Sequence, residues 1–297
     1  MTDSAVATSS VSPLIWGIAL SVVIGSVSVA LGYRRLREWG VLDTNLEGNR
    51  IVTALGAPLV LTGLLVALIG WPVGVNTEAA REVFPHCVLI LVMALGGLLD
   101  DLFPESRPVH GFVGHFGALF TRGRLTRGVQ KAILGGIVAL WAGSKLARGA
   151  GAEGIVNGLI IGLMASTVNL LDVRPGRAVK WWCCFAALPL LVPATQPLAL
   201  PLAVAVLIYA PLDLRRRAML GDTGALPLGA SLGYCWCMIL PETPVGMALR
   251  VIMLIGLLAM NVYAELGSLS RVIAGNGVLQ WLDELWVGPL RARREEF

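Results

Sequence analysis

Asp100 and Asp101 follow the apolar run Val88–Leu99, Asp172 follows Ile155–Leu171, and Asp222 stands just before Ala225–Leu240. Carboxylates at a boundary between hydrocarbon and water are costly to retain alone. Together these four could hold a divalent cation against a diphosphate at a membrane surface. The chemistry they point to acts on a phosphorylated lipid.

Each segment also has a plainer reading. Gly96-Gly97-Leu98-Leu99-Asp100-Asp101 ends a helix with adjacent carboxylates, and its glycines admit close approach of a helix or ligand; a solvated cap is the alternative. Asn169 and Asp172 share one face of a helix end, suiting a polar ligand, a hydrated cation, or an interhelical hydrogen bond and cap. Arg174, Arg177 and Lys180 follow in a turn that suits phosphate oxygens, although topology alone also favours cations there. Gly221-Asp222-Thr223-Gly224 opens a helix, where N–H groups and the dipole favour anions and Asp222 is a candidate N-cap. Arg215-Arg216-Arg217 reads first as a topology determinant and headgroup contact. His110 and His115 read as loop packing. Cys87, Cys183, Cys184, Cys235 and Cys237 read as helix packing, with neither a disulfide framework nor a zinc site.

The elements that must position these residues are membrane helices. Of 297 residues 56% are hydrophobic and 14% charged, and the mean hydropathy is +0.75, which excludes an ordinary soluble domain. The apolar stretches have the length that a hydrocarbon layer of roughly 30 Å asks of a helix, and the alternation of a β-barrel is absent. The fold class is all-α: one integral membrane domain over 1–297 with about nine spans. They are placed near 13–32, 51–70, 86–99, 129–147, 154–171, 181–194, 198–212, 223–240 and 247–266. All basic residues except Arg81, Lys145, Arg148 and Arg250 fall in one set of loops, which the positive-inside rule makes cytoplasmic. The N-terminus is then outside and the C-terminus inside. Asp43, Asp100, Asp101, Asp172, Asp213 and Asp222 gather on the cytoplasmic face, which that rule does not by itself explain. Met1–Ser10 contains no Lys or Arg and does not resemble a cleavable signal.

Gly-Leu-Leu-Asp100-Asp101, Asn169-Leu-Leu-Asp172 and Gly221-Asp222-Thr223-Gly224, in this order at cytoplasmic helix ends, resemble the polyprenyl-phosphate N-acetylhexosamine-1-phosphate transferases, glycosyltransferase family 4. That superfamily includes the phospho-MurNAc-pentapeptide translocase and the GlcNAc-1-phosphate transferases, and the likeness runs from about Asp43 to Ser270. The resemblance implies transfer of a sugar 1-phosphate from a UDP-sugar to a polyprenyl phosphate, with Mg²⁺ (or Mn²⁺) and release of UMP. It implies Asp222 as a direct metal ligand, with Asp101 and Asp172 beside it, and Asp100 or Asp101 as the candidate base. Asn169 and Asp172 would line the nucleotide pocket, and Lys131, Arg174, Arg177 and Lys180 would meet phosphates. Lys131 reads equally as a lysine snorkelling to the interface. No nucleic-acid partner is expected; a homodimer is left open.

The departures are specific. The family's DG-x-DG stretch reads here Asp172-Val-Arg-Pro175-Gly176, which leaves uracil recognition open, and an earlier Asn of that helix is Ser166. The first loop, Asp43 to Pro58, only loosely follows the Pro-x-x-Gly-Gly signature. The histidine-rich last loop is replaced by Glu265-Leu-Gly-Ser268-Leu-Ser270-Arg271. The alternative these departures raise is a family-derived scaffold or binding subunit of envelope polymer assembly that has lost catalysis. A transporter is disfavoured, because the two halves show no inverted repeat.

Overall fold

A computed structural model of the chain describes residues 4–44, 48, 50–70, 77–103, 126–147, 151–267 and 269–287. Eleven helices carry these residues: α1 Ser4–Glu38, α2 Gly56–Gly70, α3 Thr77–Leu102, α4 Arg127–Leu146, α5 Gly151–Leu171, α6 Arg177–Leu191, α7 Gln196–Leu214, α8 Asp222–Ile239, α9 Pro244–Leu266, α10 Leu269–Gly275 and α11 Gly277–Glu284. A short antiparallel pair, β1 Leu42–Thr44 and β2 Arg50–Val52, joins α1 to α2. The all-α class holds.

A helix lies at each of the nine expected positions, but five are long and apolar enough to cross a membrane: Leu14–Glu38, Arg81–Leu102, Gly151–Leu171, Gln196–Leu214 and Pro244–Leu266. Among the described residues that measure supports five spans and leaves the expected count of nine unconfirmed. The reason differs by helix. At 15 residues, α2 and α6 extend about 22 Å, short of the hydrocarbon thickness, and α4 carries Arg127, Lys131 and Lys145. Helix α8 is rich in Gly, Ser, Thr and Cys because it faces protein rather than lipid.

That helix is the centre of the bundle. It is buried along nearly its whole length, packs on α3 and α5 above all, and meets α2 and α6 as well. Gly229 and Gly233 let it press on α5: a Cβ at Gly233 would stand 2.9 Å from the Ile161 Cα. Trp182 of α6 donates its indole N–H to the Leu228 carbonyl at 3.0 Å. At the far end, buried Arg250 of α9 donates to the Leu240 and Pro241 carbonyls and to Asn157 Oδ1, and pairs with Glu153 at 3.2 Å. Lipid-facing surface is supplied by α1 and α9, whose aliphatic side chains stand exposed in long rows.

The first loop is fastened to the start of α8. Val52 bridges Ala218 in parallel, Met219 N–H donates to the Val52 carbonyl at 2.8 Å, and Gly56 N–H donates to Leu220 at 2.9 Å. Gly56 and Gly224 touch backbone to backbone, and a Cβ on either would strike the other's Cα. All five cysteines are free thiols.

Candidate functional site

Everything at the site is organised around the turn into α8. Gly221 adopts φ 67°, ψ 173°, a conformation an L side chain resists, and a Cβ there would stand 2.8 Å from the Ala54 nitrogen and against the Asp101 carboxylate. The three backbone N–H groups opened by this turn all meet carboxylates from other helices. Gly221 N–H donates to Asp172 Oδ2 at 3.0 Å, Asp222 N–H to Asp101 Oδ1 at 3.1 Å, and Thr223 N–H to Asp101 Oδ2 at 3.0 Å. The Thr223 hydroxyl adds a fourth donation to Asp101, at 2.6 Å. The helix N-terminus is capped in trans, and its affinity for anions is met by the protein's own acids.

Asp222 is consequently free of the capping role that its position suggested. Its carboxylate turns toward α4, where the Lys131 ammonium pairs with both Asp222 Oδ2 and Asp100 Oδ2. All three side chains are partly open, at 21% to 29% of full exposure. Asp100 and Lys131, with Arg127, form the charged head of a cleft of about 200 Å³ between α3 and α4 that Gly96, Leu99, Phe103, Gln130 and Leu134 also line, and Asp222 is joined to that head through Lys131. Leu99, Phe103 and Leu134 are exposed, so the cleft runs from a charged head onto an apolar helix surface.

The adjacent residues Asp100 and Asp101 thus hold different posts. One helical step of about 100° turns the first toward Lys131 and the second toward α8. Asp172 is buried; that burial, and then the charge of Asp213, push its carboxyl well above the usual range, while the Gly221 N–H pulls the other way. Asn169 is half-buried one turn earlier on α5. Asp213 in turn accepts the Gly176 N–H at 3.0 Å and so anchors the basic turn.

Two cations of that turn are engaged with the last helices. Buried Arg177 forms a two-pronged pair with Asp283, at 2.8 and 2.7 Å, and donates to the Ser270 hydroxyl at 3.0 Å. Lys180 donates to the Leu282 and Leu285 carbonyls at 2.8 and 3.2 Å. Arg174 is exposed beside them. Arg177 and Lys180, expected at substrate, instead clamp α11. His110, His115, Arg107, Arg122 and Arg124 lie outside the described residues, as does Ser268.

Compared with known proteins, the chain matches no family model and no curated sequence. Its own geometry carries the argument. Among the described residues no three carboxylate, imidazole or thiol groups form a ready-made metal cage. A Mg²⁺ ion is more often held by one or two carboxylates with phosphate oxygens and water. Asp100 and Asp222, already converging on one cation, are a donor set of that kind. Asp101 has both oxygens engaged at α8, and Asp172 has one.

Two residues the sequence did not single out emerge here, Thr223 and Asp283. Two predictions follow from the capping and the clamp. Asp101→Ala leaves two N–H groups and a hydroxyl without an acceptor, and should destabilise the protein by about 2–4 kcal/mol, whereas Asp101→Asn, which keeps an acceptor oxygen, should cost less; thermal unfolding in detergent reads the difference. Burial alone would raise the Asp283 carboxyl, but the Arg177 hydrogen bonds and charge hold it below its ordinary range. The clamped state therefore binds fewer protons than the released one. Its stability is present above the ordinary carboxylate range of about 4 and is lost as pH falls below it. The protection factors for amide exchange at 277–284 should fall over that window and hold steady above pH 6, roughly two units over it.

Proposed function

We propose that the chain transfers a sugar 1-phosphate from a UDP-sugar to a polyprenyl phosphate at the membrane surface, releasing UMP. The observation that carries this reading is the convergence of Asp100 and Asp222 on Lys131, which with Asp100 stands at the head of a cleft that runs onto the exposed apolar side chains Leu99, Phe103 and Leu134. An isoprenoid chain would lie along Leu99, Phe103 and Leu134, with its phosphate drawn to Lys131 and Arg127. An oxygen of that phosphate attacks the phosphorus bearing the sugar, a new P–O bond forms, and the bond to UMP breaks. Asp100 and Asp222 would hold Mg²⁺, which would screen the repulsion between phosphates and stabilise charge on the departing UMP. Lys131 neutralises the acceptor, and the Asp101 cap holds the start of α8 so that Asp222 stays on Lys131. In this reading α1 to α9 all cross the bilayer, with α8 enclosed by its neighbours, and the site faces the cytoplasm.

One observation favours a second reading. Lys131 already satisfies both open carboxylates, and Arg177 and Lys180 are committed to α11, so the fold is electrostatically closed without ion or substrate. A scaffold or binding subunit of envelope polymer assembly would need no more. Purified protein with undecaprenyl phosphate, Mg²⁺ and a panel of UDP-sugars separates the two. The transferase reading expects metal-dependent UMP release with at least one donor. No release with any donor leaves the scaffold.

A further inference from the structure

We infer that α10 and α11 form an in-plane anchor, seated in the headgroup layer of the same bilayer that the apolar helices cross. Helix α9 carries exposed aliphatic side chains, among them Ile252, Ile255 and Leu258, up to Leu266, which is 81% exposed. Only two residues separate it from α10, so the chain leaves α9 at lipid and turns directly into the short helices. The position of α11 is then fixed by Arg177 and Lys180, which stand at the start of α6, where that helix leaves the polar turn after Asp172. This is the level at which a bundle helix meets the interface.

Within α11 only Asp283 is half-buried, whereas Val278, Leu279, Trp281 and Leu282 stand exposed on one side and Gln280 and Glu284 on another. Just beyond the helix Leu285 and Val287 are half-buried and Trp286 is exposed; Trp281 and Trp286 are 62% and 74% exposed. Tryptophan, with its apolar ring and single N–H, is the residue that settles at headgroup depth. The ring of charge fits as well: Arg215, Arg217 and Arg271 are exposed at this same end of the bundle, suited to lipid phosphates. An amphipathic segment tethered by an ion pair at interface height has the bilayer as its immediate neighbour.

The test uses the full chain in nanodiscs of phosphatidylcholine and phosphatidylglycerol whose acyl chains carry bromine near the headgroup or near the bilayer centre. The emission lost between wild type and the conservative double variant W281F/W286F isolates these two indoles. That difference emission should fall roughly twofold with shallow bromines and less with deep ones, and should be shielded from aqueous iodide. Emission insensitive to bromine and open to iodide would overturn the inference. So would cross-linking of α11 to a second copy of the chain, or protection from iodide that appears only when a soluble protein is added.

Discussion

Asp222→Asn is expected to lower Mg²⁺-dependent UMP release by about 10²–10³-fold while the protein still folds. The first half rests on charge. An amide in place of the Asp222 carboxylate removes one of the two anionic donors that meet at Lys131, and a neutral oxygen holds a divalent ion and its phosphates far less well. The second half rests on capping. The N–H groups that open α8 are satisfied by Asp101 and Asp172, not by Asp222, so the substitution leaves the helix start intact. Lys131 keeps Asp100 as its partner. The comparison with Asp101→Ala is therefore diagnostic: one variant should lose activity at unchanged unfolding temperature, the other should lose stability. Full activity in Asp222→Asn would remove the residue from the chemistry.

Gly56→Val should be the most damaging substitution in the first loop, with a loss of about 4 kcal/mol or more. A side chain there strikes the Gly224 Cα, and no rotamer relieves a clash of Cβ with backbone. To make room, the segment after β2 must leave α8, which breaks the Gly56 N–H bond to Leu220 and loosens the turn that presents Asp222. The expected readouts are a lowered unfolding temperature and poor recovery from the membrane. Gly136→Ala on α4 is the matched control. No atom lies within contact of a Cβ at that position, so the change should be neutral or stabilising by about 0.5–1 kcal/mol. Equal behaviour of the two variants would show that the close approach at Gly56 is not required.

The sequence made the junctions legible, because apolar runs end where Asp100, Asp172 and Asp222 begin, and a carboxylate at such a boundary stands out against composition. It did not separate Asp100 from Asp101. Neighbours on a helix point about 100° apart, and which one meets Lys131 depends on how α3 is rotated against α4 and α8. The partner of the basic turn was hidden for a similar reason: Arg177 meets Asp283, and that contact is set by the path of the last helices. Those helices were themselves invisible, since α10 and α11 have 7 and 8 residues and give no spanning signal. Length and composition support fewer spans than the apolar runs suggested where hydropathy and burial part company. In α8, glycine, serine and threonine serve contact with other helices, so its sequence is less apolar although it is the most enclosed helix of the bundle.

The union of the first loop with the start of α8 bears on how the chain is made. The Leu55 and Gly56 N–H groups and the Val52 carbonyl wait for residues 219–220, and Asp101 waits for Thr223. During synthesis seven helices are therefore threaded before the first of these partners leaves the ribosome. A nascent chain halted before Gly221 would hold Asp100 and Asp101 with no turn to cap, so the carboxylate cluster matures late, in one step, when α8 slots into its place.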